Sequence, residues 1–541
     1  MTGKLMLASA LPANPSLEQL RRQAREFRDG VRSGRAKFTD VARQLHPRLA
    51  GADGNAAGAT AGWDGFTLAD AQLVVARWYG FASWRRLREH LEVLARYSRS
   101  PHDQPGGGAG DLAGEFLSLA CLTYRAGYGA GEGADDVRRH ARARELLAAQ
   151  PGLAWATIYT AAAAGNVAAA RSLLAADASL AGAQGGPHGW PPLLYLALSR
   201  VNSTREGHST LQVARVLLEA GADPDAGYLP EGEPPPVTAL SGAFHGRRDP
   251  VNQPAHQYSL PLARLLLKAG ADPNDPRALS NAGGYPHDDT HLELLFGHGL
   301  GRGSGGPWRA RLGHRQPAPA RLVQDELAYA ADRNLPGRVR LLLRHCVDLG
   351  IDLNAAAEGG RTACELAILA GNTDIAGLLA AAGAQVPPLN PADQLIAACL
   401  RADRPTVRQL LATHPGLADR AINALAEQAH SGGRGPVYPV HQAAWLGRPG
   451  AVALLAELGF PVNDPRMSPL HTAALGGHLE VVKLLVELGA DPAAQAIDDT
   501  AGQFAPPNGT PLGWARYNNQ QEVAAYLTPL TPPSPATGTA R

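Results

Sequence analysis

The feature that most restricts how this chain can fold is a short motif that recurs several times along it. The tetrapeptide Gly-Ala-Asp-Pro occurs at 221–224, 270–273 and 489–492, each time after a short apolar stretch with helical spacing (VARVLLEA, LARLLLKA and VVKLLVEL). Weaker copies of this stretch end at Gly350, Gly383 and Gly459. Gly350 and Gly383 are 33 residues apart, a spacing typical of stacked helical hairpins. Because one such hairpin cannot bury its apolar face alone, the pattern predicts a continuous stack.

The best copy of the motif shows why its residues suit a helical hairpin. Ser468 can cap a first helix, and Pro469 supplies the backbone angle of its first turn. Gly477 ends that helix, a second helix is predicted at about 479–488, and Gly489 offers a left-handed cap to it. The apolar stripe of the second helix comprises Val481, Leu484 and Leu485.

A longer signature accompanies the hairpin in three places. It reads SPLHTA at 468–473, YPVHQA at 438–443 and, without the histidine, TPLGWA at 510–515. With the GADP motif at the right offset, this pattern closely resembles the ankyrin repeat. The resemblance covers 153–527 and implies an all-α ankyrin-repeat solenoid of paired antiparallel helices with loop fingers. About ten units, several degenerate, are predicted: 153–186, 190–229, 237–276, 277–303, 324–360, 361–390, 391–422, 438–466, 468–495 and 509–527.

The resemblance also implies structural duties for the signature residues. The signature histidines, His441 and His471, are expected to form hydrogen bonds that steady the turn rather than to take part in catalysis. The remaining positions are expected to shape turns, caps and close helix contacts: Gly221, Asp223, Gly270, Asp272, Pro469, Leu470, Ala473, Gly489, Asp491, Pro511 and Leu512.

The repeats are preceded by a region of different character, which predicts the division of the chain. A small helical N-terminal segment is predicted at 16–97, and its stretch 70–84 resembles a segment found ahead of many bacterial ankyrin-repeat proteins. That likeness implies no biochemistry. The full predicted order is a flexible N-terminus (1–15), the helical segment (16–97), a linker (98–110), a helical connector (111–152), the array (153–527) and a disordered tail (528–541).

Charge is unevenly distributed along the chain. The whole sequence has 50 Lys plus Arg and 49 Asp plus Glu, but residues 1–100 contain 16 basic and 9 acidic residues. The basic residues that share a helix flank or open a helix are Arg21, Arg25, Arg28, Arg32, Arg35, Arg85, Arg86 and Arg88. They most simply form a solvated polar face. A DNA-associated regulator that uses these helices is the alternative, although nucleic acid is an unlikely partner because such domains are usually more basic.

The sequence gives no positive sign of an enzyme. No phosphate-binding loop, nucleophile elbow or HExxH motif occurs, so we predict no catalytic residue, no metal ligand and no cofactor. His287, Asp288, Asp289 and His291 have the composition of a metal site, but His291 aligns with His478 at an ordinary helix start. An enzyme hidden in the insertions stays a third alternative. Four widely spaced cysteines favour a reduced, cytoplasmic protein, and no apolar run is long enough for a membrane span.

Three successive units carry insertions between their two helices, at 199–209, 245–259 and 284–290. Because insertions of stacked repeats emerge on one edge, we expect a polar partner-binding ridge there. Its residues would be Arg200, Arg205, His208, His245, Arg247, Arg248, Asn252, His256, Tyr285, His287 and Asp288. The sequence therefore predicts a monomeric, non-catalytic scaffold or adaptor for an unknown protein partner.

Overall fold

The fold is seen in a computed structural model. It describes residues 11–12, 15–49, 63–100, 111–124, 135–201, 206–246, 251–282, 288–357, 360–386, 388–430, 439–463, 468–495 and 509–531. Most of the predicted flexible N-terminus, linker and tail lies outside these residues. The chain divides into two compact units: one comprises 1–99, 228–234 and 310–315, and the other comprises 100–227, 235–309 and 316–541.

The first unit contains four helices and a pair of very short strands. The helices are α1 (Leu17–Arg32), α2 (Ala36–Leu45), α3 (Leu68–Trp78) and α4 (Trp84–Tyr97), and a 3-10 turn covers Trp63–Gly65. Strand β1 (Ser98–Arg99) pairs in parallel with β2 (Gly227–Pro230). Residues 98–99 are thus a strand and not part of a linker. The strand partner comes from more than 120 residues later in the chain, so local sequence gives no hint of it.

Helix α2 was not predicted, and a glycine explains how it fits. A Cβ on Gly30 of α1 would lie 2.6 Å from the ring of Phe38 on α2. The bare glycine therefore lets the two helices approach closely, with Phe38 packed edge-to-face on Phe27 at 5.5 Å between ring centroids.

The second unit begins with two connector helices, followed by ten helical hairpins. The connector helices are α5 (Leu112–Ala120) and α6 (Val137–Ala149). The first four hairpins are α7 (Ile158–Ala164) with α8 (Val167–Ala176), α9 (Pro192–Leu198) with α10 (Thr210–Glu219), α11 (Ala239–Ala243) with α12 (Ser259–Lys268), and α13 (Pro276–Ala282) with α14 (Thr290–Gly297). The strand β3 (Val237–Thr238) precedes α11, and α15 (Gly306–Leu312) follows the fourth hairpin.

Six further hairpins complete the array. They are α16 (Pro319–Asp332) with α17 (Pro336–Leu349), α18 (Ala363–Leu369) with α19 (Thr373–Ala381), α20 (Pro391–Leu400) with α21 (Arg404–Thr413), α23 (Pro439–Trp445) with α24 (Pro449–Glu457), α25 (Pro469–Gly476) with α26 (Leu479–Glu487), and α27 (Pro511–Tyr517) with α28 (Gln521–Leu527). An additional helix, α22 (Leu417–His430), stands between two of them. Short 3-10 turns cover Pro151–Trp155, Ala178–Ala181, Gly313–Arg315 and Thr528–Leu530. The last of these occupies the start of the predicted disordered tail.

The hairpins share their apolar cores with their neighbours. One continuous cluster of buried side chains extends from Ile158 to Ala384, and a second extends from Leu395 to Leu527. Alanines on the first helices, among them Ala197, Ala443 and Ala473, are fully buried. Because these side chains are small, successive first helices can pack closely.

Hydrogen bonds between loops also join adjacent repeats. In four of the loops that follow the second helices, the fingers, one side chain accepts the backbone N–H of a residue in the following finger. The pairs are Asp225 Oδ1 with Asp272 N (2.9 Å), Asn274 Oδ1 with Gly301 N (2.8 Å), Asn354 Oδ1 with Gln385 N (2.7 Å) and Asn463 Oδ1 with Asp491 N (3.3 Å). We call this series the finger ladder.

A second series of bonds, the turn ladder, runs along the turns between the two helices of each hairpin. There a polar side chain bonds to the carbonyl that ends the first helix of the preceding repeat. The pairs are His208 with Ala164 O (2.8 Å), Asn372 with Ala331 O (2.8 Å), Arg448 with Leu400 O (3.2 Å), His478 with Trp445 O (3.0 Å) and Gln520 with Leu475 O (3.3 Å). These bonds satisfy helix-end carbonyls that otherwise have no partner within the helix.

The stacking predicts a large effect of one core substitution. Leu485 on α26 is fully buried, whereas Leu488 at the end of the same helix is 38% exposed. We expect Leu485→Ala to lower the free energy of unfolding by about 2–5 kcal/mol, because it leaves a cavity between repeats. Denaturant unfolding followed by circular dichroism measures this change. Leu488→Ala is the matched control, and an equal loss of stability in both variants would contradict the packing described.

Candidate interaction surface

Arg200, predicted to project into a partner-binding ridge, is instead buried. Its side chain lies in the first insertion with the residue only 4% exposed, and its guanidinium donates to backbone carbonyls. The accepting residues are Ala197, Ser199, Gly242, Phe244 and Pro254. Because Pro254 belongs to the second insertion and Gly242 to α11, this one side chain fastens two insertions to the array.

A buried carboxylate holds the connector against the second insertion. Asp135 accepts the backbone N–H groups of Thr123 and Tyr124, each at 2.9 Å, and the Nε2 of Gln253 at 2.9 Å. Arg139 lies 3.3 Å from the same carboxylate. Burial raises the pKa of Asp135, and these donors and the arginine oppose that shift. The network joins the connector to an insertion more than 110 residues later in the chain.

The connector also lies directly on the first helices of the array. Leu122 N donates to the carbonyl of Leu198 at 2.9 Å, and Arg200 N donates to the carbonyl of Ala120 at 2.8 Å. The phenol of Tyr124 donates to the carbonyl of Ser241 on α11. Cys121 and Ser199 thereby form an antiparallel bridge at the end of α9, and Tyr124 adds a bond to α11.

These contacts correct part of the predicted ridge. Arg200, His245 and His256 are all less than 9% exposed, so they do not project from the surface as expected. His208 belongs to the turn ladder, Asn252 donates to the phenol oxygen of Tyr517 at 3.3 Å, and Asp288 is exposed. The other predicted members, Arg205, Arg247, Arg248, Tyr285 and His287, lie outside the described residues. Partner binding by the accessible members stays a prediction.

Exposure of the first helices differs between the two ends of the array. Every residue of α9 and α11 is buried. In contrast, α16, α20, α25 and α27 each have an exposed residue, namely Ala320, Gln394, Gly476 and Arg516. We call the accessible sides of these four helices, together with α18 and α23, the first-helix surface. It is defined on the later repeats, although α7 and α13 of the early repeats also have partly exposed residues.

The signature residues lie at helix starts, in turns and in fingers of the repeats. His441 Nε2 lies 2.6 Å from Thr472 Oγ1 of the next repeat, and His471 Nε2 lies 2.6 Å from Gly509 O. Burial lowers the pKa of each histidine to about 4, so both are neutral at pH 7. Pro469, Leu470, Ala473, Pro511 and Leu512 are buried, and Gly221, Gly270 and Gly489 have positive φ. Asp223, Asp272 and Asp491 each accept a backbone N–H within their finger turns.

The residues with the composition of a metal site are separated by structural contacts. Asp289 Oδ1 accepts from Nε of the buried Arg338 at 2.7 Å, and Glu326 lies 3.2 Å from the same guanidinium. His291 Nε2 is 3.1 Å from Ser259 Oγ. Among the residues that the structure describes, no three His, Cys, Asp or Glu side chains are placed to hold a metal ion. The four cysteines are buried and free.

The N-terminal basic residues are partly neutralised. Arg85 and Arg86 both pair with Glu89, at 2.8 and 3.1 Å, and Arg28 pairs with Asp29 at 2.7 Å. Arg21, Arg25, Arg32, Arg35 and Arg88 are exposed. Two of the three arginines that open helix α4 are therefore already paired with a carboxylate of the same helix. No helix in the described ranges is long and apolar enough to cross a membrane.

Asp225 stands where the other three fingers of the finger ladder have asparagine, and this predicts a pH effect. Burial raises its pKa to about 6, and the charges of three neighbouring aspartates add to this: Asp223, Asp272 and Asp275. Because an unfolded aspartate has a pKa near ~3.9, the folded state binds the proton more tightly, and stability falls as pH rises from about 4 to about 6. Asp225→Asn should therefore stabilise the protein by about 1–2 kcal/mol at pH 7.5 and by little at pH 4.

The measurement is denaturant unfolding of both proteins at the two pH values. Asp352→Asn provides the control, because Asp352 accepts the N–H of Asn354 in an equivalent but exposed finger turn. A gain in stability that is equal at pH 4 and pH 7.5 would show that the charge of Asp225 is not its cause.

Comparison with known families identifies the later repeats. A family model described as ankyrin repeats in three copies matches residues 395–496 and, in an overlapping second match, residues 440–532. No curated protein matches the chain significantly. The matched segment contains the hairpins from α20 to α28, whose caps, fingers and ladders are described above. Residues 395–532 are therefore ankyrin repeats, and the mostly helical chain has the architecture of an all-α ankyrin solenoid with a helical N-terminal segment.

Proposed function

We propose that the protein is a non-catalytic scaffold or adaptor that binds a partner protein through the first-helix surface of its later repeats. Ankyrin repeats are in general protein–protein interaction modules. The observation that carries the proposal is the contrast in exposure between the two ends of the array. Helices α9 and α11 are completely covered, whereas Gln394 on α20 and Arg516 on α27 are exposed.

A preformed surface is well suited to this task. The repeats are joined by shared cores and by two hydrogen-bonded ladders, so little ordering is needed when a partner binds. We further propose that the protein is bacterial, monomeric and cytoplasmic. The last point is supported by four buried cysteines that form no disulfide.

Matched variants test the use of this surface. Gln394→Lys with Arg516→Glu changes the charge of two first helices, and Arg340→Glu with Gln409→Lys makes the same changes at exposed positions on the second helices α17 and α21. The full chain is immobilised, and host proteins that bind to the wild type are identified. We expect the first pair of substitutions to lower the retained amount of these proteins at least tenfold. The control pair should retain them.

Retention that is unaffected by the first pair would contradict the proposal. Retention that depends on residues 16–97 and is abolished by nuclease would instead favour the DNA-associated alternative. That alternative is supported by the exposed Arg21, Arg25, Arg32 and Arg35 on and just after α1.

A further inference from the structure

One arginine on the first-helix surface is held between two aromatic rings from different repeats. The guanidinium of Arg333, at the end of α16, lies 4.6 Å from the ring centroid of Trp445 on α23 and 5.8 Å from that of Tyr329 on α16. All three residues are half-buried, and the Arg333 side chain is 26% exposed. Arginine, tryptophan and tyrosine are the residues most enriched at the energetic centres of protein interfaces.

The rings fix Arg333 in a position that two repeats determine jointly. Gln442 of α23 donates its Nε2 to the carbonyl of Asp332 at 3.2 Å, which joins the end of α16 to α23 three hairpins later. Arg333 N donates to the carbonyl of Tyr329 and caps α16. A guanidinium with so little freedom loses little entropy on binding, and its planar donors match a carboxylate.

Arg333 shares its surroundings with one carboxylate, Asp332, and, through Asn372, with a second arginine, Arg448. Asp332 is the neighbouring carboxylate, with 3.4 Å between Oδ2 and Nε of Arg333, and burial raises its pKa. Arg448 donates to the carbonyls of Ala370 and Leu400 and to Asn372 Oδ1. Within the described part of the chain, these partners are neutral, so the negative ends of α18 and α20 and not a carboxylate balance Arg448.

The positive charge of Arg333 also affects the pKa of a nearby histidine. The pKa of His441 is lowered first by burial and then by the positive charge of Arg333. An anionic group from outside would be attracted to this place, and two aromatic rings beside it would shield the contact from water.

We propose that Arg333, flanked by Tyr329 and Trp445, is the docking point for a glutamate or aspartate side chain in an acidic segment of the partner protein. The inference rests on the proposed function and adds the chemistry of the partner. The carboxylate would accept two parallel N–H bonds from the guanidinium, and the chain on either side of it would lie along the first-helix surface.

The test uses the full chain and two fluorescein-labelled peptides, (Gly-Glu)6 and (Gly-Gln)6, with binding followed by fluorescence anisotropy at low salt. We expect the glutamate peptide to bind at least tenfold more tightly than the glutamine peptide. Arg333→Gln should reduce its affinity to that of the glutamine peptide. Arg333→Lys, which keeps the charge but not the planar fork, should lose about threefold or more. Arg340→Gln, an exposed arginine on α17, is the control and should bind as wild type does.

Each other outcome overturns the assignment in a distinguishable way. If both peptides bind equally and Trp445→Leu weakens that binding, the acidic partner is refuted. The proposal that this surface binds a partner would still hold. Binding of neither peptide would refute the acidic docking segment, and the scaffold function would be decided by the retention experiment above. Loss of binding in the Arg340→Gln control would point to non-specific attraction. A labelled dT12 that binds through Arg333 while the glutamate peptide does not would assign the site to nucleic acid. Thermal unfolding of each variant confirms that folding is unchanged.

Discussion

The structure depends on one constraint: no hairpin of this chain can bury its own apolar face. The first helices are short, with five residues in α11, seven in α9 and eight in α25, and have too few side chains for a core of their own. Their stability therefore comes from neighbours, through shared leucine and alanine contacts. The finger and turn ladders add polar bonds at the two edges of the stack, where helix-end carbonyls and loop amides need partners. Each repeat thus fixes the position of the next.

The same constraint bears on the exposure of the first helices at the two ends of the array. At the beginning, the chain covers its own first helices: Leu122 and Tyr124 of the connector bond to the ends of α9 and α11, and Arg200 and Asp135 join the insertions to them. In the described residues, the long insertions therefore mainly hold the connector and the early repeats together. Among the described residues of the later repeats, Gln394 on α20 and Arg516 on α27 are exposed. We propose that a partner protein contacts the first helices of these later repeats.

The sequence predicted features that repeat and missed those that depend on contact between distant residues. Ser468, Pro469 and Gly477 mark a hairpin by local chemistry alone, and the structure has hairpins in each of the ten predicted segments. The finger ladder also has a local signal, since Asn274, Asn354 and Asn463 follow their glycines at the same offset, with aspartate at 225. In contrast, Arg200 and His256 were expected at the surface because they are polar. Their burial depends on carbonyls and side chains more than 40 residues away. The contact between Trp445 and Arg333 was also missed, because these residues are 112 positions apart in the sequence.

The most direct test of the account is amide hydrogen exchange of the full chain, read by mass spectrometry at peptides that cover residues 120–124 and 199–201. Their N–H groups lie outside helices, but the structure bonds Leu122, Thr123, Tyr124 and Arg200 to the array or to Asp135. If the connector covers the early repeats, these amides exchange as slowly as those of α9. Complete exchange within seconds would show that the early first helices are open, and would contradict the assignment of partner binding to the later repeats.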